Sequence, residues 1–334
     1  MNNNSIAIPG VFPDWNLSDY FGSLKVRLSI GRNNYRVEPG VYRLGNPDEN
    51  SDVFVSANYK LSFDVLRRNL KGMNAWILVL DTKGVNVWCA AGKGTFGTNE
   101  LIHRIDLHHV HTLVSHRRLI LPQLGAPGVA AHVVKKETGF TVKYGPVRAS
   151  DISQYVESRY KASETMRRVR FNFKDRLLTA PVEIMNSLWQ IALIILAFLV
   201  LSGLSSSGYS LETVRHEGLK DTLIILTAYL SGTFLTPVLL PWIPSRYFAG
   251  KGIFMQVLVF LLLIIPGFGK LPWINILAWF LMSVALSSYL AMNFTGASTF
   301  TSLSGVKKEL KLFIPVQLSA VITGFILYVV SKFV

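Results

Sequence analysis

The chain has 334 residues, half of them hydrophobic, with a net charge of +14, a mean hydropathy of +0.35 and a single cysteine. A lone cysteine excludes an internal disulfide framework, and by itself it cannot hold a structural zinc or an iron–sulfur cluster, which take about four ligands. The basic balance is accompanied by no helix-turn-helix, finger or aromatic RNA motif, so nucleic acid is not expected as a partner.

Residues 1–22 are rich in turn formers, Pro9 and Pro13 among them, and read as irregular. Positions 1–14 lack the basic region and long apolar core of a secretory signal. Strands are predicted over 52–57, 75–80, 119–121 and 140–144, and helices over 62–70, 100–114, 128–136 and from 150 to 158, the last running toward the membrane. Thr98 or Asn99 is the expected cap of the second helix. Strands alternating with helices imply a parallel sheet covered on both faces, so residues 1–165 are read as a Rossmann-like α/β domain. Residues 166–182 form a basic juxtamembrane linker, whose charges suit anionic lipid headgroups.

From 183 to 334 the composition is that of an all-α membrane domain. Five apolar runs, 185–203, 222–243, 253–268, 272–292 and 312–331, approach or reach the roughly 17 to 25 residues needed to cross a bilayer. None contains Asp, Glu, Lys, Arg or His, which favours an anchor or docking platform over an ion path. One set of connections holds Arg167, Arg168, Arg170, Lys174, Arg176, Arg246, Lys251, Lys307, Lys308 and Lys311; the other holds Arg215, Lys220, Lys270 and Lys332. The asymmetry places the first set, and the N-terminal domain with it, in the cytoplasm of a multi-pass inner-membrane protein.

The cysteine, Cys89, falls in the string Asn86-Val87-Trp88-Cys89-Ala90-Ala91-Gly92-Lys93-Gly94-Thr95-Phe96, read as a glycine-rich turn beyond the carboxyl end of the strand at 75–80. Ligands of open α/β sheets bind at such strand ends. The thiol is a buried inert group, a nucleophile, or a single axial ligand to a metal carried by a cofactor. A phosphate-loop reading fails, because Val87 and Gly94 stand where such a loop needs Gly and Ser or Thr. His103, His108, His109, His111 and His116 fall on or near one predicted helix; His108 and His111 have chelating spacing, but a solvated face explains the group better.

The 86–96 string resembles the signature of the HgcA family, the membrane-bound corrinoid proteins of microbial mercury methylation. The strings at 55–64, at 145–151, and from 293–296 through 304–306 resemble the same family. The soluble part is also similar to the corrinoid domain of the corrinoid iron–sulfur protein large subunit, whose turn lacks a cobalt-ligating cysteine.

The resemblance implies cobalamin or a related corrinoid, bound base-off with Cys89 as lower axial cobalt ligand, and no iron–sulfur cluster in this chain. It implies walls from Ser56, Ala57, Asn58, Lys60, Asn86, Val87, Trp88, Ala90, Gly92, Lys93 and Gly94, with Gln123, Gly125 and Ala126 from a following loop. The implied activity is corrinoid-dependent methyl transfer to Hg(II), with methyl from a methyltetrahydrofolate-derived donor. The implied redox partner is HgcB, a small ferredoxin-like protein with two four-iron clusters, for which the connection at 293–311 is a candidate docking surface. The alternative is a membrane-tethered corrinoid carrier that delivers methyl to another enzyme of acetyl-CoA chemistry. Thiolate donation to cobalt favours methyl leaving as a carbanion or radical, which suits an electrophile such as Hg(II).

Overall fold

The structure, a computed structural model, describes residues 8–264, 272–297 and 303–333. The chain divides into two compact units, Met1–Val26 with Ile30–Val169, and Arg27–Ser29 with Arg170–Val334.

The first unit is a mixed α/β domain around a six-stranded sheet. Its strands are β1 (Gly10–Val11), β2 (Gly40–Leu44), β3 (Val53–Ala57), β4 (Ala75–Leu80), β5 (Arg118–Leu121) and β6 (Thr141–Tyr144), in spatial order β1-β2-β4-β3-β5-β6. The pairs β3/β4, β3/β5 and β5/β6 are parallel, so the four parallel strands run second, first, third, fourth across the sheet. This is a doubly wound order, with its reversal between β3 and β5.

The predicted parallel core is therefore present, but the sheet is mixed. Strand β2, absent from the sequence reading, pairs antiparallel with β4 and carries β1 beyond it. Antiparallel strands added beyond one side of a doubly wound parallel sheet are common.

Alternation along the strands feeds two cores. Val53, Val55, Ala57, Leu78 and Leu80 face one cluster, whereas Phe54, Ala75, Ile77 and Val79 face the other. The first face is covered by α3 (Val87–Lys93), α4 (Thr98–Leu107) and α6 (Ala131–Thr138), through Ala90, Ala91, Leu101, Ile105 and Val134. The second is covered by α2 (Lys60–Asn69) and α7 (Ile152–Glu157), through Phe63, Leu66, Ile152 and Tyr155. Each fully buried Val, Leu or Ile contributes about 1.5–3 kcal/mol, so the sheet is held firmly in both directions.

Several local expectations are corrected. The segment read as irregular contains β1 and the helix α1 (Leu17–Arg27). The helix expected over 100–114 breaks at His108 and His109, the latter at φ 48°, and resumes as the short α5 (Val110–Leu113). Neither Thr98 nor Asn99 caps α4: its N-cap is Gly97, and the Thr98 hydroxyl instead accepts from the Ala130 N–H at 2.8 Å. Helix α7 stops at Glu157 instead of running on to the membrane, and Arg159 and Tyr160 follow with positive φ. A single turn, α8 (Glu164–Arg167), ends this unit.

The second unit is helical. It comprises α9 (Phe173–Ser202), α10 (Leu211–Leu230) with its continuation through a π turn into α11 (Thr236–Leu239), α12 (Phe248–Ile264), α13 (Trp273–Asn293) and α14 (Leu303–Val330). A two-stranded hairpin, β7 (Leu204–Ser205) with β8 (Gly208–Tyr209), joins α9 to α10. Among the described residues four helices are long and apolar enough to cross a membrane: Phe173–Ser202, Leu211–Leu239, Trp273–Asn293 and Ser304–Val330. Of the five expected spans, the third forms α12, a shorter helix of 17 residues, and its positions 265–268 lie outside the described residues.

Three of the long helices, α9, α10 and α14, overrun the apolar runs that announced them, and so they carry charge. Asp221 is buried within α10 and accepts a hydrogen bond from Tyr328 of α14 at 2.6 Å. Buried Glu309 of α14 accepts from the Ala249 N–H at 2.6 Å, supplying one of the partners that the first turn of α12 lacks. Both carboxylates bridge helices, and the ion-free description holds for the runs but not for the helices. The connection expected over 293–311 is helical from Leu303 onward, and 298–302 lie outside the described residues.

Candidate functional site

Three parallel strands deliver their carboxyl ends to one side of the first unit, and the segments beyond them form the site. Beyond β4, Asp81–Gly84 makes a tight turn with Lys83 at φ 59° and Gly84 at φ 74°. This turn is organised from the end of β3. Asn58 Oδ1 accepts from the Thr82 N–H at 3.1 Å, the Thr82 hydroxyl at 2.9 Å and the Gly84 N–H at 2.9 Å, while its Nδ2 donates to Asp81 at 3.2 Å. Asn58 is buried, so these bonds form away from competing water.

The turn launches α3. The string read as a glycine-rich turn is in fact a short helix, because Asn86 caps it: Oδ1 accepts from the Cys89 N–H at 3.0 Å. Gly94 closes the helix at φ 80°, a left-handed conformation that favours glycine, and its N–H returns to the Ala90 and Ala91 carbonyls. Val87, Ala90 and Ala91 face the core. Trp88, Cys89, Gly92 and Lys93, spaced three and four apart, form the opposite, exposed face. The Cys89 thiol is exposed, which removes the reading of a buried inert group.

The helix leaves room on that face. A side chain at Gly92 or Gly94 would meet no heavy atom within 4 Å. A bulky flat ligand could therefore approach the α3 backbone beside the thiol.

Beyond β5, Gln123–Gly128 forms a 3-10 segment pressed against α3 and the buried Phe96. The approach demands glycine: a Cβ at Gly125 would lie 2.5 Å from the Phe96 ring, and one at Gly128 would lie 2.1 Å from the Phe96 carbonyl oxygen. Gln123 and Ala126 are half-buried on the same segment.

The remaining expected site residues are placed differently. Ser56 and Ala57 are buried at the end of β3, and the Ser56 hydroxyl is turned to the Ala57 carbonyl at 3.3 Å. The Lys60 ammonium is held at 2.6 Å by both Asp19 and Asp64, and Arg67 binds the same two carboxylates. Burial pushes the Asp19 carboxyl up, but hydrogen bonds from Lys60 and Arg67 outweigh it and hold the group at about 2. Burial likewise opposes the Lys60 charge, yet its two carboxylate partners raise the ammonium above its ordinary value.

Sequence reasoning missed the part played by Phe96 and Gly128, although the spacing Pro122, Gly125, Pro127, Gly128 marks a segment built for close approach. No group of three or more His, Cys, Asp or Glu able to hold a metal occurs among the described residues. His116 is engaged with the Ser51 carbonyl at 3.0 Å. Burial, then the charge of Arg104 and the neighbouring imidazoles, holds His108 below the usual histidine range.

The first unit is thus a doubly wound α/β domain with Cys89 exposed beyond its strand ends, and membrane-length helices follow it in the chain. Residues 27–156 match a family model described as CO dehydrogenase/acetyl-CoA synthase delta subunit. The chain is 32% identical over 123 residues to the acetyl-CoA decarbonylase/synthase complex subunit gamma of Methanopyrus kandleri, covering 36% of this chain and 26% of that one. It is 29% identical over 131 residues to the corresponding gamma subunit of Archaeoglobus fulgidus, covering 39% and 27%. It is 27% identical over 125 residues to the corrinoid/iron-sulfur protein large subunit of Moorella thermoacetica, covering 37% and 28%. The chain thus spans about a quarter of the length of the curated relatives it matches.

Proposed function

We propose that the N-terminal unit binds cobalamin or a related corrinoid, base-off, against the exposed face of α3, and that the protein methylates Hg(II). The observation that carries this reading is the exposed Cys89 thiol at the strand ends of a doubly wound sheet, beside a glycine whose missing side chain leaves open space. The name of the Moorella relative supports the cofactor class.

When bound, the corrinoid supplies a cobalt centre that accepts a methyl group and gives it up. Cys89 would hold the cobalt through its thiolate, and Asn86 fixes the backbone that presents its sulfur. Trp88, Gly92 and Lys93 line the near wall, with Ser56, Gln123, Gly125 and Ala126 at its margins. Asn58 and Lys60 act as positioning residues, since their polar atoms are bound within the protein. A thiolate donates strongly to the metal it ligates, which suits an electrophilic acceptor such as Hg(II). The methyl group comes from a methyltetrahydrofolate-derived donor. One cysteine cannot hold a four-iron cluster, so electrons come from outside the chain, from a ferredoxin-like partner of the HgcB type. The protein sits in the inner membrane with this unit in the cytoplasm.

The gamma-subunit relatives favour a second reading, a membrane-tethered corrinoid carrier that passes methyl to another enzyme. A nucleophilic acceptor would not require thiolate ligation. The test is the visible spectrum of the purified full-length protein with corrinoid bound, together with mercury methylation. Loss of methylation and an altered spectrum in Cys89→Ala support the first reading. A spectrum and methyl delivery indifferent to Cys89 support the second.

A further inference from the structure

Helix α1 is amphipathic in the wrong sense for a helix packed on a water-soluble domain. Its inward face holds Asp19 and Ser23 with Val26. Its outward face carries Leu17, Tyr20, Phe21 and Leu24, spaced i, i+3, i+4 and i+7, the stripe a packed helix turns inward. Leu17 is 77% exposed, Phe21 63% and Leu24 55%. Phe12 before the helix and Ile30 after it extend the exposed apolar surface.

The inward face is fixed by charge. Asp19 is bound by Lys60 at 2.6 Å and by Arg67 at 2.7 Å, and Trp15 donates to the Asp64 carbonyl at 2.9 Å. The helix therefore cannot roll its apolar stripe inward without separating a buried ionic network and leaving its charges unpaired. The stripe is held outward.

The charges beside the stripe indicate what covers it. The helix's single acid is the inward Asp19, whereas Lys25 and Arg27 flank the apolar arc and Arg32 follows. A basic border around Leu, Phe and Tyr is the pattern of a helix lying in a lipid interface. The chain also enters a membrane-length helix at Phe173, soon after the first unit ends at Val169, which keeps a bilayer at high effective concentration. We propose that α1 is an interfacial helix that lays Leu17, Phe21 and Leu24 into the surface of an anionic bilayer.

The test uses the full-length protein in nanodiscs of phosphatidylcholine with and without phosphatidylglycerol. Spin labels are placed with Phe21→Cys or Leu24→Cys on a Cys89→Ala background, and collisions with oxygen are compared with those of a water-soluble nickel chelate. These side chains are exposed, so the substitutions leave the core untouched; Leu17→Cys provides a third reporter. Interfacial seating gives a several-fold excess of oxygen collisions, enhanced by phosphatidylglycerol and diminished by Lys25→Glu. Dominant nickel collisions would show the stripe in water and overturn the proposal. Labels shielded from both reagents would show a protein cover, whether a second copy or a partner, and overturn it equally.

Discussion

Asn86 Oδ1 accepts the Cys89 N–H at 3.0 Å, so the residue that caps α3 also fixes the backbone carrying the thiol. Helix capping and placement of the thiol are one interaction here. An Asn86→Ala change should cost about 1 kcal/mol of local stability through loss of the cap. In the proposed site it should also lower the corrinoid retained through purification, read from cobalt content per protein, while membrane extraction is unchanged. Undiminished cobalt content would separate the cap from the site.

Cys89→Ala removes an exposed side chain and should change thermal stability by less than about 0.5 kcal/mol. Mercury methylation should nevertheless fall to background. Cys89→His offers cobalt another ligand, so recovery of corrinoid binding without recovery of methylation would locate the requirement in the thiolate. Full methylation in Cys89→Ala would end the axial-ligand mechanism.

Asn58→Leu leaves the Thr82 and Gly84 N–H groups without their acceptor, a loss of about 3 kcal/mol if both stay buried. The turn before α3 should loosen, and hydrogen exchange at 82–90 should accelerate before global unfolding does. Asn58→Asp retains the oxygen and should behave more mildly. Equal exchange in both variants would mean that the turn is held by other contacts.

Gly128→Ala places a methyl group 2.1 Å from the Phe96 carbonyl oxygen, where backbone must move. The expected destabilisation is about 1–3 kcal/mol. Gly92→Ala meets only open space and should leave stability nearly unchanged while impeding a ligand seated on α3. Thermal unfolding and cobalt content distinguish the two variants; intact corrinoid binding in Gly92→Ala would move the ligand away from that face.

The Asp19 network sets an acid limit. The carboxyl titrates at about 2 in the folded protein against 3.8 for the free group, so its stabilisation is fully present above pH 3.8 and is lost as the pH falls toward 2. The contribution is about 2 kcal/mol. Asp19→Asn should destabilise at neutral pH and remove this part of the acid dependence, as followed by urea unfolding between pH 5 and 2. Lys60, raised by its partners, contributes below its ordinary 10.5 and loses that contribution as the pH rises past its folded value.

The distribution of Lys and Arg predicts a periplasmic loop around Tyr209. A reporter active only in the periplasm should give signal when fused there and none when fused near Gly250. The reverse pattern would put the N-terminal unit outside the cytoplasm.

Sequence by itself determined the features written in local patterns. The apolar run at 75–80 is β4 to the residue, since a strand buried on both faces is continuously apolar. Four of the five hydrophobic runs likewise lie in helices long and apolar enough to cross a membrane, because apolar composition is local to the run. The 86–94 string stands out in the sequence because Cys89 has no other thiol to pair with and three glycines close by.

Only the tertiary structure decided how those residues are used. Strand β2 is held by five residue pairs to β4, a non-local ladder that its short sequence does not announce. The Cys string became a helix because, with Asn86 capping it, Val87, Ala90 and Ala91 pack into the core that covers the sheet. Asn58 became a turn organiser because β3 ends beside β4, bringing it to residues 82 and 84 across the sheet. Lys60 was drawn into an ionic network by Asp19, a residue in a segment whose helix was not foreseen. Local propensity speaks for neighbours in the chain; a buried hydrogen bond or ion pair takes its partner from whatever the fold brings within about 3 Å.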